Sequence, residues 1–307
     1  MLDKDDTQND EINLRELFDV LWAGKFKIIA ITCIFAVASV YYALSIPNQY
    51  KALTLLAPAQ SSQGGLSGGL GQLGGLASLA GVSIGSSVTN EAQIALEIMQ
   101  SWSFIEGFIK DNDLEVEIFA AEDWDQTSND LKINNEIFNT ENEQWLIKDQ
   151  NGIAGPPSSW DLYKKFKGKL SVSQDKLSGL VLVSIEYYSP QLAKQWLDMY
   201  VKAINEYMQQ RQIFKVTNNI NYLNTQIEKT PISEMQEVFY SIIEEQIKSK
   251  MLAEASPDYA FVAVNTSMVP HQKSQPTRSI ICIIITLIGG LLSVTWVLLV
   301  HFTRKTS

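Results

Sequence analysis

The chain has 307 residues, 46% of them apolar, with 34 acidic against 24 basic side chains and a formal charge of −10. An acidic balance of this size disfavours nucleic acid or another polyanion as a partner; a neutral glycan or a protein is easier to accommodate. Both cysteines, Cys33 and Cys282, fall inside apolar runs, so the polar stretch between them offers no disulfide or thiolate metal site.

Residues 1–9 are polar and acidic, a composition that does not bury enough apolar surface to fold. From Asp10 onward Leu14, Leu17, Phe18, Leu21 and Trp22 fall on one helical face, with Arg15, Glu16 and Asp19 opposite. Two readings stay open: an interfacial helix with Trp22 at headgroup level, or an extension of the apolar run that follows.

That run, Ile28–Ile46, carries no charge, and neither does Ile280–Phe302 near the other end. At ~1.5 Å rise per residue they reach roughly 29 and 35 Å as helices, enough to cross a bilayer. Ala36-Val37-Ala38 resembles a signal-peptide cleavage site, but the preceding region is acidic and the apolar run continues past Ala38, so a retained anchor is expected. Lys25 and Lys27 before the first span, and Arg304 and Lys305 after the second, favour both tails on the inner side. Small residues sit four apart in each span: Gly289 and Ser293, Thr286 and Gly290, Thr32 and Ala36, Ser39 and Ala43. Such spacing lets helix backbones approach closely in lipid, which makes Gly289, Gly290 and Ser293 candidate packing residues.

After Pro47, Tyr50–Leu56 reads as a strand. Gln60–Ser87 holds nine of the seventeen glycines, interleaved with Leu, Ser and Ala, and at that density does not build an ordered core element. It contains a formal GxGxxG at Gly69–Gly74, but no strand leads directly into it, so it is read as an accident of composition. Glu91–Lys110 is an amphipathic helix with Ile94, Ile98, Phe104 and Phe108 among its apolar positions. Asp111–Glu117 superficially suggests a calcium loop; it lacks the glycine at the sharp turn, and a solvated strand or turn is expected. Gly155-Pro156-Pro157 precedes a short helix at Ser159–Lys167. Lys169–Gln174 and Leu180–Tyr188 form a hairpin across the turn Asp175–Gly179.

Ser189-Pro190 caps a long helix running to about Lys229. Ala193, Leu197, Tyr200, Ile204, Tyr207 and Phe214 keep a 3-4 spacing with Arg211 interrupting; the seam then shifts to Ile213, Val216, Ile220, Leu223 and Ile227, the candidate rod-packing residues. Thr230-Pro231 breaks it. A second helix, Ile232–Ala255, carries Met235, Phe239, Ile242, Ile243 and Met251, making either a hairpin or one kinked rod. A last strand at Phe261–Thr266 and a linker stiffened by Pro270 and Pro276 lead to the second span.

No catalytic constellation emerges. His271 lies in the linker and His301 at the edge of a span, and no phosphate-binding GxxxxGK[ST] is present. The expectation is no enzyme, no cofactor and no metal.

The order of parts is itself specific. The lead Asp10-Glu11-Ile12-Asn13-Leu14-Arg15-Glu16-Leu17, a span, a mixed loop with a long helix, then Pro270-His271-Gln272-Lys273-Ser274-Gln275-Pro276-Thr277-Arg278 entering a span with Gly289-Gly290, together resemble the Wzz-type polysaccharide co-polymerases. These are the chain-length determinants of bacterial lipopolysaccharide O-antigen and related surface glycans. Where that family has an Asp-Pro-Ala step ahead of the linker, this chain has Asn265-Thr266-Ser267. The resemblance implies an inner-membrane ring of identical protomers, an α/β base and a helical rod in the periplasm. It also implies a membrane-embedded glycan polymerase as partner, with the growing polysaccharide as a further candidate.

The expected architecture is an α+β membrane protein: two transmembrane helices flanking a periplasmic α/β base with a long helical rod or hairpin. Its segments are a cytoplasmic tail (1–27), a span (28–46), the base (47–188, with the Gly-rich 60–87), the rod (189–256), the returning strand and linker (257–279), a second span (280–302) and a tail (303–307). The expected function is non-enzymatic control of glycan chain length. The alternatives are a transmembrane adaptor for a tyrosine kinase in capsule or exopolysaccharide export, and a periplasmic ligand-sensing or hydrolytic domain.

Overall fold

The computed structural model describes residues 20–59, 87–148 and 152–306. The Gly-rich segment with its GxGxxG, and the amphipathic stretch before Val20, lie outside the described residues. In chain order the elements are helix α1 (Lys25–Ser45), strand β1 (Tyr50–Pro58), helices α2 (Ser87–Gln100), α3 (Trp102–Asp111) and α4 (Glu115–Phe119), then strands β2 (Ala121–Trp124), β3 (Leu131–Ile133), β4 (Phe138–Asn139) and β5 (Gln144–Trp145). They continue with α5 (Ser159–Lys169), β6 (Leu170–Gln174), β7 (Val181–Tyr187), α6 (Pro190–Lys229), α7 (Ser233–Ala255), β8 (Phe261–Ala263) and α8 (Arg278–Thr306). They divide into two units, one holding residues 1–48 and 274–307, the other residues 49–273.

In the first unit α1 and α8 pack antiparallel. Their mean hydropathies, 2.1 and 2.5, and lengths suit membrane crossing, and most of their large side chains point outward. Both helices begin before their apolar runs, at Lys25 and Arg278 rather than Ile28 and Ile280. Backbone hydrogen bonding does not stop where hydrophobicity does, and long basic side chains extend from a helix end toward water.

The second unit is built on a four-stranded antiparallel sheet in the order β6-β7-β1-β8. Alternation selects one face: Ala52, Thr54 and Leu56 of β1, with Val181, Val183, Ile185 and Tyr187 of β7, are buried. Against them lies the first half of α6, with Ala193, Trp196, Leu197, Tyr200, Ile204 and Met208 buried; α2, α3 and α5 complete the core. Aromatic rings dominate the contact. Trp196 lies 4.2 Å from Tyr187 between centroids, and Phe108 meets Tyr200 edge-on at 4.8 Å, geometries worth ~0.5–1.5 kcal/mol each beyond area burial.

The hairpin of β6 and β7 forms as expected, with Leu170 opposite Ile185 and Gln174 opposite Val181. Other expectations need correction. The helix expected over Glu91–Lys110 is two helices, because Ser101 leaves the helical backbone and caps α3, its Oγ accepting from Phe104 N. The strand or turn expected at Asp111–Glu117 is a turn followed by the short helix α4, with Asp113 at φ 51° between them. Two small sheets, β2-β3 and β4-β5, fill residues 121–145, where no element was expected.

One half-buried cation stands out at the edge of this core. Lys169 Nζ lies 4.9 Å from the Tyr187 ring centroid and 4.7 Å from that of Tyr188. Burial is the main cause that lowers its pKa to about 8, with Lys165 adding repulsion and Glu186 opposing both. Nearby, burial raises the Glu117 carboxyl above its usual range, against a hydrogen bond from Trp196. Between pH 8 and about 10.5 the unfolded chain therefore holds more protons at Lys169 than the folded one, so stability rises with pH across that window. In Lys169→Met the cost of burying the charge is removed and that contribution to the slope vanishes. Denaturant midpoints of full-length wild type and variant at pH 7.5 and 9.5 check this: the variant leads at the lower pH, and the gap narrows at the higher.

Candidate functional site

Three of the expected positions fall in the helix pair of the first unit. Ser293 is fully buried, its Oγ 3.4 Å from Thr32 Oγ1. Gly289 faces Phe35 so closely that an added Cβ would sit 2.5 Å from Phe35 Cβ, whereas a Cβ on Gly290 would meet only Thr32 Oγ1, at 3.9 Å. Ser39 and Ala43 are buried on the same seam of α1. At the end where α8 begins, Arg278 donates from Nε to Ala43 O and from Nη2 to Asn48 Oδ1, both at 3.1 Å. The guanidinium thus satisfies a carbonyl that the last turn of α1 leaves without an intrahelical partner. Pro276 sits just before α8, its carbonyl accepting from Arg278 N at 2.9 Å, and Pro270 is half-buried outside regular structure.

The five rod residues lie on the second half of α6. Val216 is buried; Ile213, Ile220, Leu223 and Ile227 are half-buried. The structure chooses a hairpin over a kinked rod, with α7 returning antiparallel along α6. Polar side chains stitch the pair. Gln209 Nε2 donates to Ala253 O at 2.8 Å and Ser256 O at 3.0 Å, Gln212 Nε2 to Ser249 Oγ at 3.3 Å, and Asn219 Nδ2 to Gln246 Oε1 at 3.4 Å. Near the turn, Gln236 Nε2 donates to Thr230 O at 2.8 Å. Sequence reasoning passed over these amides because a polar residue in a helix reads as solvent-facing. Their signal was spacing, since Gln209, Gln212, Val216, Asn219 and Leu223 keep a 3-4 step.

What α7 turns away from α6 is unusually apolar. Met235, Val238 and Ile242 form one exposed stripe, and Tyr240, Ile247 and Met251 another. On α6, Phe214 is 70% exposed and Tyr222 64%. Contiguous exposed apolar surface of this kind marks an interaction site on a soluble surface.

A cleft of about 370 Å³ at the foot of the hairpin gathers Asp198, Glu206, Glu254 and Asp258. Three of these carboxylates have a lysine four residues away: Lys194 for Asp198 (2.6 Å), Lys202 for Glu206 (3.5 Å) and Lys250 for Glu254 (3.8 Å). Among the described residues, no group of three or more His, Cys, Asp or Glu side chains is placed to hold a metal ion.

Two apolar end helices and an α+β domain carrying a helical hairpin define the class: an α+β protein with two candidate membrane spans. The model of the Wzz family, described as chain length determinant protein, matches residues 10–112, so the chain resembles that family over its first third. Among solved structures it is similar to a full-length bacterial polysaccharide co-polymerase (13% identity over 95% of this chain and 99% of that one, TM-score 0.41). It is also similar to a fragment of WzzB, a polysaccharide co-polymerase from Salmonella Typhimurium (10% identity over 74% of this chain and all of that one, TM-score 0.32). The search of curated protein sequences gave no significant match.

The two adjacent glycines differ in what a side chain at each would meet. Gly289→Leu has no room beside Phe35 and is expected to disturb the helix pair. Gly290→Leu meets only the Thr32 hydroxyl and is expected to leave the pair intact. Disulfide trapping between cysteines placed on α1 and α8 of a cysteine-free background reports the first effect, and oligomer mass in detergent reports any second one.

Proposed function

We propose that this protein is a non-enzymatic regulator of polysaccharide chain length, for lipopolysaccharide O-antigen or a related surface glycan. The observation that carries the reading is the match of residues 10–112 to the chain length determinant family. It works as a scaffold in the bacterial inner membrane, with both termini cytoplasmic and the central domain periplasmic. Residues 28–46 and 280–302 are its spans, 47–188 its base, 189–256 its rod and 257–279 its return. Identical protomers pack side by side into a ring, which holds a membrane-embedded glycan polymerase close to the growing chain.

The exposed stripes of the hairpin support the assembly. A stripe on each side of α7, with Phe214 and Tyr222 on α6, gives one protomer surfaces for a neighbour on either hand, as a closed ring needs. Half-burial of Ile213, Ile220, Leu223 and Ile227 supports their place at the margin of that contact. In lipid, Gly289 and Ser293 pack the two spans of one protomer together, Gly290 is left to a contact with a neighbouring protomer's span, and Pro270 and Pro276 stiffen the approach to the second span.

Deleting the gene is expected to shift the modal length of the surface glycan on a gel. An unchanged ladder would overturn the reading. Ile220→Asp or Leu223→Asp puts a charge at a half-buried seam, and burying it in a neighbour contact costs several kcal/mol. The expected result is a smaller assembly by mass in detergent with helix content retained; full-size rings would remove these residues from the contact.

A further inference from the structure

Four of the seven tryptophans are exposed; two of them, Trp22 and Trp296, are in the apolar unit, and the other two, Trp102 and Trp160, belong to the soluble one. Trp102 is 46% exposed at the first residue of α3, Trp160 56% exposed in the first turn of α5. Fifty-seven residues separate Trp102 from Ser159, yet the indole Nε1 donates to Ser159 Oγ at 3.2 Å, which brings Trp102 to the first turn of α5, against the residue that precedes Trp160. One turn after Trp102 on α3 lies the Glu106 carboxylate, which Lys110 holds at 2.8 Å. Trp160 rests on Tyr163, ring centroids 5.2 Å apart and planes tilted by 33°, and Tyr163 is fixed by its OH donating to Gln100 O at 3.3 Å.

Both rings are therefore held in place while remaining open to water, an arrangement the core does not require. The surroundings separate this patch from the hairpin stripes. Those are mainly aliphatic, suited to another hairpin. Here the Trp102 indole N–H is held by Ser159 Oγ, the residue next to Trp160, so polar atoms lie at the edge of the aromatic surface. That suits a ligand which is itself half C–H and half O–H, such as a pyranose, whose axial C–H face lies on an aromatic ring while its equatorial hydroxyls reach outward. The charge balance agrees, since an acidic chain accepts a neutral sugar more readily than a polyanion.

We propose that Trp102 and Trp160, with Ser159 and Glu106 at their margin, form a platform for neutral sugar rings of the polysaccharide whose length this protein controls. The proposal rests on the length-regulator reading and gives it a point of direct contact with the polymer.

The test uses full-length protein in detergent and the surface polysaccharide released by mild acid from the strain that carries the gene. Wild type is expected to bind it, Trp102→Ala/Trp160→Ala roughly tenfold more weakly or worse, and Trp102→Phe/Trp160→Phe close to wild type, because a ring face is retained. Assembly mass and circular dichroism should be the same for all three. The proposal fails if wild type does not bind, if the alanine pair binds as wild type does, or if that pair changes the assembly mass, which would make the patch a contact between copies. None of these outcomes touches the length-regulator reading, which the glycan ladder of the deletion strain tests separately.

Discussion

The second unit depends on one continuous helix serving two environments. For its first five turns α6 is a core element, with Trp196 and Tyr200 pressed onto the sheet and onto the rings of α3 and α5. Beyond Met208 it is half of a hairpin. The changeover is pinned at Asn205, a buried side chain that donates to Phe261 O at 2.9 Å and accepts from Ala260 N and Phe261 N at 2.9 and 2.8 Å. No capacity of that carboxamide oxygen is wasted, and the start of β8 is tied to the helix just where the helix leaves the core. With 40 residues and no break, α6 carries the orientation of the sheet and its covering helices along about 60 Å. The hairpin is therefore aimed by the packing around Trp196, and its outer stripes are presented on a stiff support.

The pairing of α1 with α8 follows a different physics. Lipid tails are as apolar as leucine, so nothing drives two such helices together by hydrophobicity alone. What remains is close fit, Gly289 against Phe35 and the Ser293 hydroxyl against that of Thr32, and the hydrogen bond of the Arg278 guanidinium to the last turn of α1. These contacts run along the pair from one end toward the other, which is why small residues and a single arginine carry more meaning there than the many leucines and isoleucines facing outward.

Features that arise from length or strong punctuation were legible in the sequence. The apolar runs, the Ser189-Pro190 start of α6, the Asp175–Gly179 turn and the break at Thr230-Pro231 each have a direct chemical cause, and each lies where the residues place it. Features settled by tertiary contact were not. Ser101 looks like one polar position in an amphipathic helix until the chain must bend for α3 to reach Tyr200 and Tyr207. Strands of two to four residues, such as β4 and β5, are too short to show alternation, and Phe138 and Trp145 disclose their pairing only as rings set edge to face 4.9 Å apart. In the hairpin, the 3-4 apolar pattern of α6 was readable and the glutamines joining the two helices were not, because a half-buried amide and a solvated one look alike in sequence.

Thr32 and Ser39 bear on the order in which such a chain is made. Each hydroxyl is already spent within its own helix, Thr32 Oγ1 donating to Ile28 O at 2.8 Å and Ser39 Oγ to Ala36 O at 2.7 Å. As a membrane span, α1 leaves the ribosome some 230 residues ahead of α8, an interval of roughly ten to fifty seconds at ~5–20 residues per second of synthesis. Through that wait the earlier helix sits in lipid with its polar side chains quenched by its own backbone. It needs no chaperoning neighbour until the later one arrives.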